Sequence, residues 1–199
     1  GVAIGIPQNH GIKPSAGAEK LPKANGYRAI VSGSCSVATN GQVAHFIKQG
    51  GAALALDPLA LSKNPDLVNE LINSAIARLQ QGPVLVYATA SPESVKSVQA
   101  SLGVAKAGEM VEAALSAIAR GLVSSGVEQL IVAGGETSGA CVQALKIETM
   151  RIGPAIAPGV PWCFAPCSFA KNGGLHITLK SGNFGQENFF TQSFELLND

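Results

Sequence analysis

The chain alternates short, mostly apolar runs with longer segments whose apolar residues recur every three or four positions. Runs of the first kind are typical of strands buried on both faces of a sheet. They lie at 28–31, 53–56, 83–88, 130–133 and 175–179. Segments of the second kind predict helices at 36–49, 66–81 and 103–124. Each predicted helix is followed directly, or within two residues, by glycine, as expected where a helix ends.

Strands and helices therefore alternate along most of the chain. This order predicts an α/β fold of three layers, with a mostly parallel sheet and helices on both faces, as in Rossmann-like nucleotide-binding domains. In such sheets ligands bind beyond the carboxyl ends of the strands. Three polar turns that contain glycine fall at such ends, namely Ser32–Ser36, Gly134–Ser138 and Ser181–Gly185. Three such turns on one edge indicate a ligand site more strongly than any one of them.

The turn at Gly134 is central to this interpretation. It follows the apolar strand 130–133, and Gly134 and Gly135 have no Cβ to crowd a ligand. Thr137 or Ser138 can cap the next helix, so that backbone N–H groups would point from its N-terminus toward an anion such as phosphate. An ordinary strand-to-helix turn explains the same residues, and the turn alone leaves both interpretations open.

Beyond residue 148 the pattern changes. We expect a short strand at 149–152 and then a folded-back loop at 153–166, because its prolines exclude a regular helix. This loop carries Trp162, the only tryptophan. It serves either as a hydrophobic plug over a sheet edge or as an apolar wall for a flat ligand such as adenine. A terminal helix is predicted at 187–197.

Several common motifs are absent from the sequence. There is no Gly-x-x-x-x-Gly-Lys-Ser/Thr phosphate loop and no Gly-x-Gly-x-x-Gly after the first strand. Ser32-Gly33-Ser34 resembles the start of the latter motif, but Val37 occupies the position of its last glycine. A Gly-x-Ser-x-Gly elbow is also missing, which disfavours an α/β-hydrolase. The nucleotide hypothesis therefore depends on the glycine turns and not on a standard fingerprint.

Composition narrows the function further. Of 199 residues, 46% are hydrophobic and 14% charged, which permits a sizeable buried core. The formal net charge is +1 and Lys and Arg are not clustered, so we expect neither nucleic acid nor a membrane surface as a partner. No apolar stretch approaches the ~20 residues of a membrane span. The cysteines fit free thiols in a reducing cytoplasm better than a zinc site or disulfides.

Two charged residues beside the turns each have two interpretations. Glu136 is stabilised by the helix dipole whatever binds there. If phosphate binds, however, this carboxylate implies Mg²⁺ between the two anions, directly or through water. Lys180 ends its strand beside the third turn, and it is either a cation that neutralises a phosphoryl charge or an ordinary solvated strand end.

An ordered series of motifs resembles the C-terminal nucleotide-binding domain of the four-carbon acid sugar kinase family, which includes 3-oxo-tetronate, threonate and erythronate kinases. The series consists of Val31–Ser36, Gly134–Gly139, Arg151–Pro154, Ile156–Trp162 and Leu179–Gly185. The resemblance extends from about Tyr27 to Phe190. It implies that ATP contacts all three turns. The residues concerned are Ser32, Gly33, Ser34, Cys35, Gly134, Gly135, Glu136, Thr137, Gly182 and Asn183.

The resemblance also implies an activity and a domain order. ATP, with Mg²⁺ at Glu136, would donate its γ-phosphoryl group to a hydroxyl of a small acid sugar. Residues 1–26 would be an arm from a preceding acid-sugar domain that this chain lacks, and residues 27–199 the ATP-binding domain. No catalytic base is identified, because it can lie on the absent domain. We therefore expect this chain to bind nucleotide but to transfer phosphate poorly or not at all.

Two other function classes remain open from the sequence. One is an NAD-binding, oxidoreductase-like domain, which the missing fingerprint disfavours. The other is a non-catalytic regulatory module that binds a phosphometabolite at the same turns. The acid sugar is not specified by these residues, and the oligomeric state is left open, a homodimer included.

Overall fold

The computed structural model describes residues 20–197, and within them seven strands form one sheet in the order β2-β3-β1-β4-β7-β6-β5. The strands are β1 (Tyr27–Ser32), β2 (Ala52–Ala55), β3 (Val84–Tyr87), β4 (Val127–Ala133), β5 (Arg151–Ala157), β6 (Val160–Pro166) and β7 (Gly174–Lys180). Strands β1, β2, β3, β4 and β7 are parallel, whereas β6 and β5 continue the sheet antiparallel. The predicted α/β fold with a mostly parallel sheet is confirmed.

Seven helices cover this sheet within the described part of the chain. They are α1 (Val37–Lys48), α2 (Pro58–Leu61), α3 (Leu67–Ile76), α4 (Pro92–Leu102), α5 (Val104–Ser124), α6 (Gly135–Ala144) and α7 (Phe189–Gln192). Two turns of 3₁₀ helix, Leu79–Gln81 and Glu195–Leu197, complete the list. No helix among residues 20–197 has the length and apolarity that crossing a bilayer requires.

The two faces of the sheet are covered by different helices. Alternate residues of β1 point to opposite faces, so Ala29 and Val31 join a core with α3, α5 and α6. Ile30 joins a second core with α1 and α7. The chain therefore leaves β1 toward one face and leaves the adjacent β4 toward the other. The carboxyl ends of β1 and β4 form the topological switch point, where open α/β sheets bind ligands.

The predicted helices at 36–49 and 103–124 are present with small shifts at their ends, whereas the one predicted at 66–81 ends at Ile76 and is followed by the 3₁₀ turn Leu79–Gln81. Two further helices, α2 and α4, were not predicted. Asp57 caps the first of them, with its carboxylate accepting from Leu59 N–H at 2.9 Å. Helix α4 begins after the cap Ser91, and only four of its eleven residues, Val95, Val98, Ala100 and Leu102, are apolar. So few apolar residues are the reason why sequence reasoning missed this helix.

The folded-back loop predicted at 153–166 does fold back, but it consists of two strands, so the prediction of a loop was wrong. Residues 151–166 form the β5–β6 hairpin, which turns at Pro158 and Gly159, with φ of +78° at Gly159. The prolines exclude a helix but are tolerated in a strand at the edge of a sheet. Strand β5 is such an edge strand, and its register shifts where Pro154 interrupts the ladder. The strand predicted at 149–152 is the first part of β5.

The predicted terminal helix at 187–197 is also wrong in its length, because only α7 and a short 3₁₀ turn form there. The expected arm at 1–26 lies largely outside the described residues, since the description begins at residue 20. Its last part has no regular structure and lies against the sheet. The carbonyl of Pro22 is 2.8 Å from Nε2 of His176, and the carbonyl of Asn25 accepts from the Gln129 amide.

Candidate functional site

The three predicted turns meet at one edge of the sheet. Strands β1, β4 and β7 are neighbours, and their parallel registers bring Ser32 beside Ala133 and Ala133 beside Lys180. The turns that follow these residues therefore lie side by side at the switch point. The prediction that all three share one edge is confirmed, and we call this edge the glycine rim, formed by residues 33–36, 134–137 and 181–185.

Backbone hydrogen bonds tie the three turns to one another. The amides of Gly33 and Ser34 both donate to the carbonyl of Ala133, at 3.0 and 3.2 Å, and the amide of Gly134 donates to Lys180 O at 2.8 Å. These three N–H groups are already hydrogen-bonded within the protein. An anion at the rim would have to be bound by other donors.

The glycines of the rim serve two different purposes. At Gly134 the backbone has φ +128°, and an added Cβ would lie 2.8 Å from Thr137 Oγ1. At Gly182 an added Cβ would lie 2.6 Å from Ser34 Oγ. Gly134 is needed for its positive φ and for the close approach of Thr137 within its own turn, whereas Gly182 is needed because the first turn approaches it closely. Gly135 is different, since nothing lies within 4 Å of its Cβ position and the residue is exposed. The absence of a side chain there leaves open space in front of helix α6.

Helix α6 supplies the amides that remain. Its N-cap is Gly134, and the first intrahelical bond runs from Ser138 N–H to Gly134 O at 2.9 Å. The expectation that Thr137 or Ser138 caps this helix was wrong, because both lie inside its first turn. The N–H groups of Gly135, Glu136 and Thr137 precede that first bond, so they lack intrahelical acceptors. They point out of the helix N-terminus into the space in front of Gly135.

Two carboxylates lie near this helix end, Glu136 in its first turn and Glu112 on helix α5. Thr137 is almost wholly buried, and its hydroxyl donates to Glu112 Oε1 at 3.1 Å. The other oxygen, Glu112 Oε2, is buried and finds no hydrogen-bond partner among residues 20–197. Burial raises the pKa of the Glu112 carboxyl, the Thr137 hydrogen bond partly opposes this, and the charge of Glu136 raises it further. The sequence did not single out Glu112, which lies on helix α5 far along the chain.

Lys180 is not the solvated strand end that is common at such positions. Its side chain is fully buried, and Nζ lies 3.1 Å from Thr39 Oγ1, 3.1 Å from Ser181 O and 3.0 Å from Gly182 O. Burial alone lowers the pKa of Lys180 to about 8. A positive charge therefore lies inside the protein beneath the third turn.

A recess of about 380 Å³ adjoins the glycine rim. It lies beyond the ends of β1, β2 and β3 and is walled by α4 and α5, and most of its lining is apolar. It shares Gly33, Cys35 and Glu136 with the rim. The side chains that form its walls include Leu56, Tyr87, Val95, Val98 and Val111. Neither α4 nor this recess was anticipated from the sequence.

Trp162 does not line that recess. It is fully buried in the core on the α1 and α7 face, where its indole N–H donates to Ser193 O at 2.7 Å. Its ring packs on Phe194 with centroids 5.9 Å apart. Of the two interpretations made from sequence, a ligand wall is therefore wrong. Trp162 is a core residue within strand β6.

The other residues predicted at the site occupy distinct positions. Ser32 is buried, and its hydroxyl is 2.7 Å from Thr89 Oγ1, so only its backbone is near the rim. Cys35 is partly exposed and lines the recess. Asn183 is exposed in the third turn. Ser36 and Thr39, which were not predicted as site residues, join this turn to helix α1 through Gly182 O, at 2.7 and 2.9 Å.

Comparison with known proteins identifies similar chains. Two curated relatives are named 3-oxo-tetronate kinase. The one from Cupriavidus necator is 45% identical over 201 residues, covering 99% of this chain and 45% of that protein. The one from Pseudomonas fluorescens is 46% identical over 198 residues, covering 97% and 44%. The chain thus spans just under half the length of the curated relatives it matches.

A solved structure of a Haemophilus influenzae protein is similar throughout. It is 34% identical with a TM-score of 0.84, and the similarity covers 96% of this chain and 44% of that one. Residues 29–190 match the family model described as the nucleotide-binding C-terminal domain, which contains all three turns of the glycine rim. The resemblance stated from the motifs is confirmed, and the chain belongs to this family of nucleotide-binding C-terminal domains.

Proposed function

We propose that this chain is the ATP-binding part of a kinase that phosphorylates a hydroxyl of a four-carbon acid sugar, such as 3-oxo-tetronate, threonate or erythronate. The observation that carries the proposal is the open N-terminus of α6 at the switch point of the sheet, flanked by two other turns and an apolar recess. The names of the relatives support the substrate class. Because the chain spans less than half of those relatives, the activity of the whole protein is part of the proposal.

The nucleotide phosphates would bind at the glycine rim. The N–H groups of Gly135, Glu136 and Thr137 are the donors, and the helix dipole favours negative charge at this end. Gly182 and Asn183 would border the phosphates from the third turn. In the first turn the amides of Gly33 and Ser34 already donate to Ala133 O, so the amide of Cys35 would be the donor there. The side chain of Ser32 would not take part, since it is buried against Thr89.

The nucleoside would lie in the adjoining recess. Its volume of about 380 Å³ suffices for a base and ribose, and its apolar walls suit a flat aromatic ring. The rim and the recess share Gly33, Cys35 and Glu136, so one ligand can occupy both, with its phosphates at the N-terminus of α6. This placement replaces the earlier interpretation of Trp162 as the wall for adenine.

The residues at the helix end fit a magnesium ion bound together with the nucleotide. Glu112 Oε2 is a buried oxygen without a partner in the described chain, and Glu136 lies exposed nearby. No cluster of three or more metal-ligating side chains occurs among residues 20–197. Magnesium typically takes one or two carboxylates and completes its shell with phosphates and water. When bound, it would screen the phosphates from the two carboxylates and neutralise charge on the transferring group.

The contribution of this chain to phosphoryl transfer would be positioning and charge stabilisation. The α6 amides would hold the phosphates in place while negative charge spreads over the transferring group. We propose that residues 27–199 form the ATP domain and that residues 1–26 connect it to an acid-sugar domain. That domain, in the cytoplasm where ATP is available, would supply the acceptor hydroxyl and its base. This chain alone is then expected to bind nucleotide and to transfer phosphate poorly.

Thermal unfolding of the chain with and without Mg²⁺-ADP tests the proposal. Ligand at about a hundred times its dissociation constant adds roughly 2.7 kcal/mol to the free energy of unfolding. For a domain of this size the midpoint should rise by roughly 5–10 °C. NAD⁺ and a sugar phosphate are the controls. A shift with NAD⁺ alone would favour an oxidoreductase-like domain, and a shift with the sugar phosphate alone would favour a regulatory module.

A further inference from the structure

Among residues 20–197, no carboxylate lies against the buried ammonium of Lys180. All three of its N–H groups face neutral oxygens, on Thr39, Ser181 and Gly182, at 3.0–3.1 Å. The ring of Phe189 covers it at 6.0 Å. Burial of an unpaired cation is costly, and buried lysines are usually paired with a carboxylate. Such a cost is typical of a residue retained for function and not for stability.

The hydrogen bonds of Lys180 converge on one carbonyl. Gly182 O lies 2.7 Å from Ser36 Oγ, 2.9 Å from Thr39 Oγ1 and 3.0 Å from Lys180 Nζ. These three donors exceed the two lone pairs of the carbonyl, and because they come from different side chains they fix the direction of the oxygen. The carbonyl of Gly182 is thereby drawn inward, under the rim.

This direction determines what the turn presents to a ligand. The described residues contain no cis peptide bond, and in a trans peptide the N–H lies opposite the C=O. Since the Gly182 carbonyl points inward, the N–H of Asn183 points outward. The anchored turn therefore offers a backbone donor to the same side as the first-turn amides of α6. The adjacent bond from Gly134 N–H to Lys180 O keeps the two turns in register.

We propose that Lys180 is a positioning residue for nucleotide phosphate, which holds the 181–183 turn with its donor outward and places a fixed positive charge beneath the bound anion. The inference rests on the proposed function, since it requires a nucleotide phosphate at the rim. Lys180 does not touch the phosphate, because its three N–H groups are already used. It acts through the turn and through its charge, which is weakly screened inside the protein.

The charge makes phosphate affinity depend on pH. The elements around Nζ are β7, α1, the third turn and α7. The titratable residues of α1, His45 and Lys48, lie in its last turn, away from Thr39. Glu136 and Glu187 are exposed, and neither contributes to the shift of the Lys180 pKa. Loss of the Lys180 proton as pH rises through about 8 is therefore expected to weaken phosphate binding.

The test is a titration of wild-type chain and Lys180→Met with Mg²⁺-ADP between pH 7 and 9.5, followed by calorimetry. At pH 7 we expect the substitution to weaken binding by about tenfold or more, because the released turn would lose the hydrogen bond from Asn183 N–H to a charged phosphate. Wild-type affinity should fall toward that of the variant as pH rises, whereas the variant should show no such fall. Lys171→Met is the matched control, because Lys171 is exposed and lies at the opposite end of β7.

A second readout separates positioning from a structural role. Replacing a buried charge by an apolar side chain of similar length is often neutral or stabilising. Lys180→Met should therefore keep or raise the unfolding midpoint while it weakens ADP binding. Wild-type binding that does not change with pH, or equal binding by the variant, would overturn the inference alone. Absence of ADP binding by the wild-type chain would overturn the proposed function and this inference with it. The wild-type pH profile needs no variant, so poor folding of Lys180→Met would not prevent the test.

Discussion

Replacing Gly135 by alanine should separate the fold from the ligand site. The Cβ position of Gly135 has no atom within 4 Å, and its backbone is not in the left-handed region. A Gly-to-Ala change at such a position stabilises a protein by about 0.4–1 kcal/mol, because the unfolded chain loses freedom. For a domain of this size that raises the midpoint by roughly 1–4 °C.

The same methyl group should weaken nucleotide binding. It would project into the space in front of α6, next to the N–H groups proposed to bind phosphate. We expect a loss of about tenfold or more in affinity for Mg²⁺-ADP. At a concentration of about a hundred wild-type dissociation constants, a tenfold loss halves the ligand stabilisation, from roughly 2.7 to 1.4 kcal/mol. The ligand-induced rise in midpoint would fall by about half.

The assay is thermal unfolding with and without Mg²⁺-ADP, supported by a direct binding titration. Gly182→Ala is the matched comparison, because its methyl group would lie 2.6 Å from Ser34 Oγ and 3.0 Å from Ser36 Oγ. Overpacking of this kind costs about 1–3 kcal/mol, so that variant should lose stability before any ligand is added. A Gly135→Ala chain with unchanged affinity for Mg²⁺-ADP would show that phosphate does not approach the N-terminus of α6.

Three further outcomes follow from buried groups. Glu112→Gln should stabilise the chain at neutral pH but not below pH 4, because burial raises the pKa of this carboxyl in the folded chain and the wild type loses stability as pH rises through that pKa. The same variant should bind ADP more weakly only when Mg²⁺ is present, which a titration with and without Mg²⁺ would detect. Urea unfolding at pH 7 to 10.5 should show that the free energy of unfolding of the wild type, relative to that of Lys180→Met, rises with pH by about 3 kcal/mol. The reason is that the pKa of Lys180 is about 8 in the folded chain and 10.5 in the unfolded chain, so between these pH values only the unfolded state holds the proton. Trp162→Phe should cost about 1–3 kcal/mol through its lost bond to Ser193 and yet leave ADP affinity unchanged; a selective loss of affinity would mean that Trp162 does contact the nucleotide.

The parallel half of the fold was predictable because its strands are buried on both faces. Such strands are short apolar runs, and the rule that their carboxyl ends share one edge placed three turns together without any knowledge of strand order. The β5–β6 hairpin was not predictable in the same way. Pro154 and Pro161 mask its strand pattern, and only the position at the sheet edge makes those prolines acceptable.

The candidate site was predictable where its chemistry is local. A Gly-Gly turn before a helix is visible in the sequence, and so is Glu136 beside it. The contributions of Glu112 and Lys180 depend on distant parts of the chain. Nothing near residue 112 indicates that Thr137 will lie 3.1 Å away, and nothing near residue 180 indicates that Thr39 will help to bury the lysine. Burial changes what a charged side chain can do, and burial is set by tertiary structure.

Under the proposed function, most atoms of the glycine rim would not touch the ligand. The amides of Gly33, Ser34 and Gly134 are used to join the turns, and the Ser32 hydroxyl is used against Thr89. An added side chain at Gly33 or Gly134 would disturb binding, because it would meet the neighbouring turn and push the two turns apart. The donors left over belong to the first turn of α6 and, through the buried Lys180, to the turn at Asn183. Substitutions at Gly33 and Gly134 should therefore lower stability and affinity together, whereas Gly135→Ala should lower affinity alone. A rim in which both sets behaved alike would not be organised in this way.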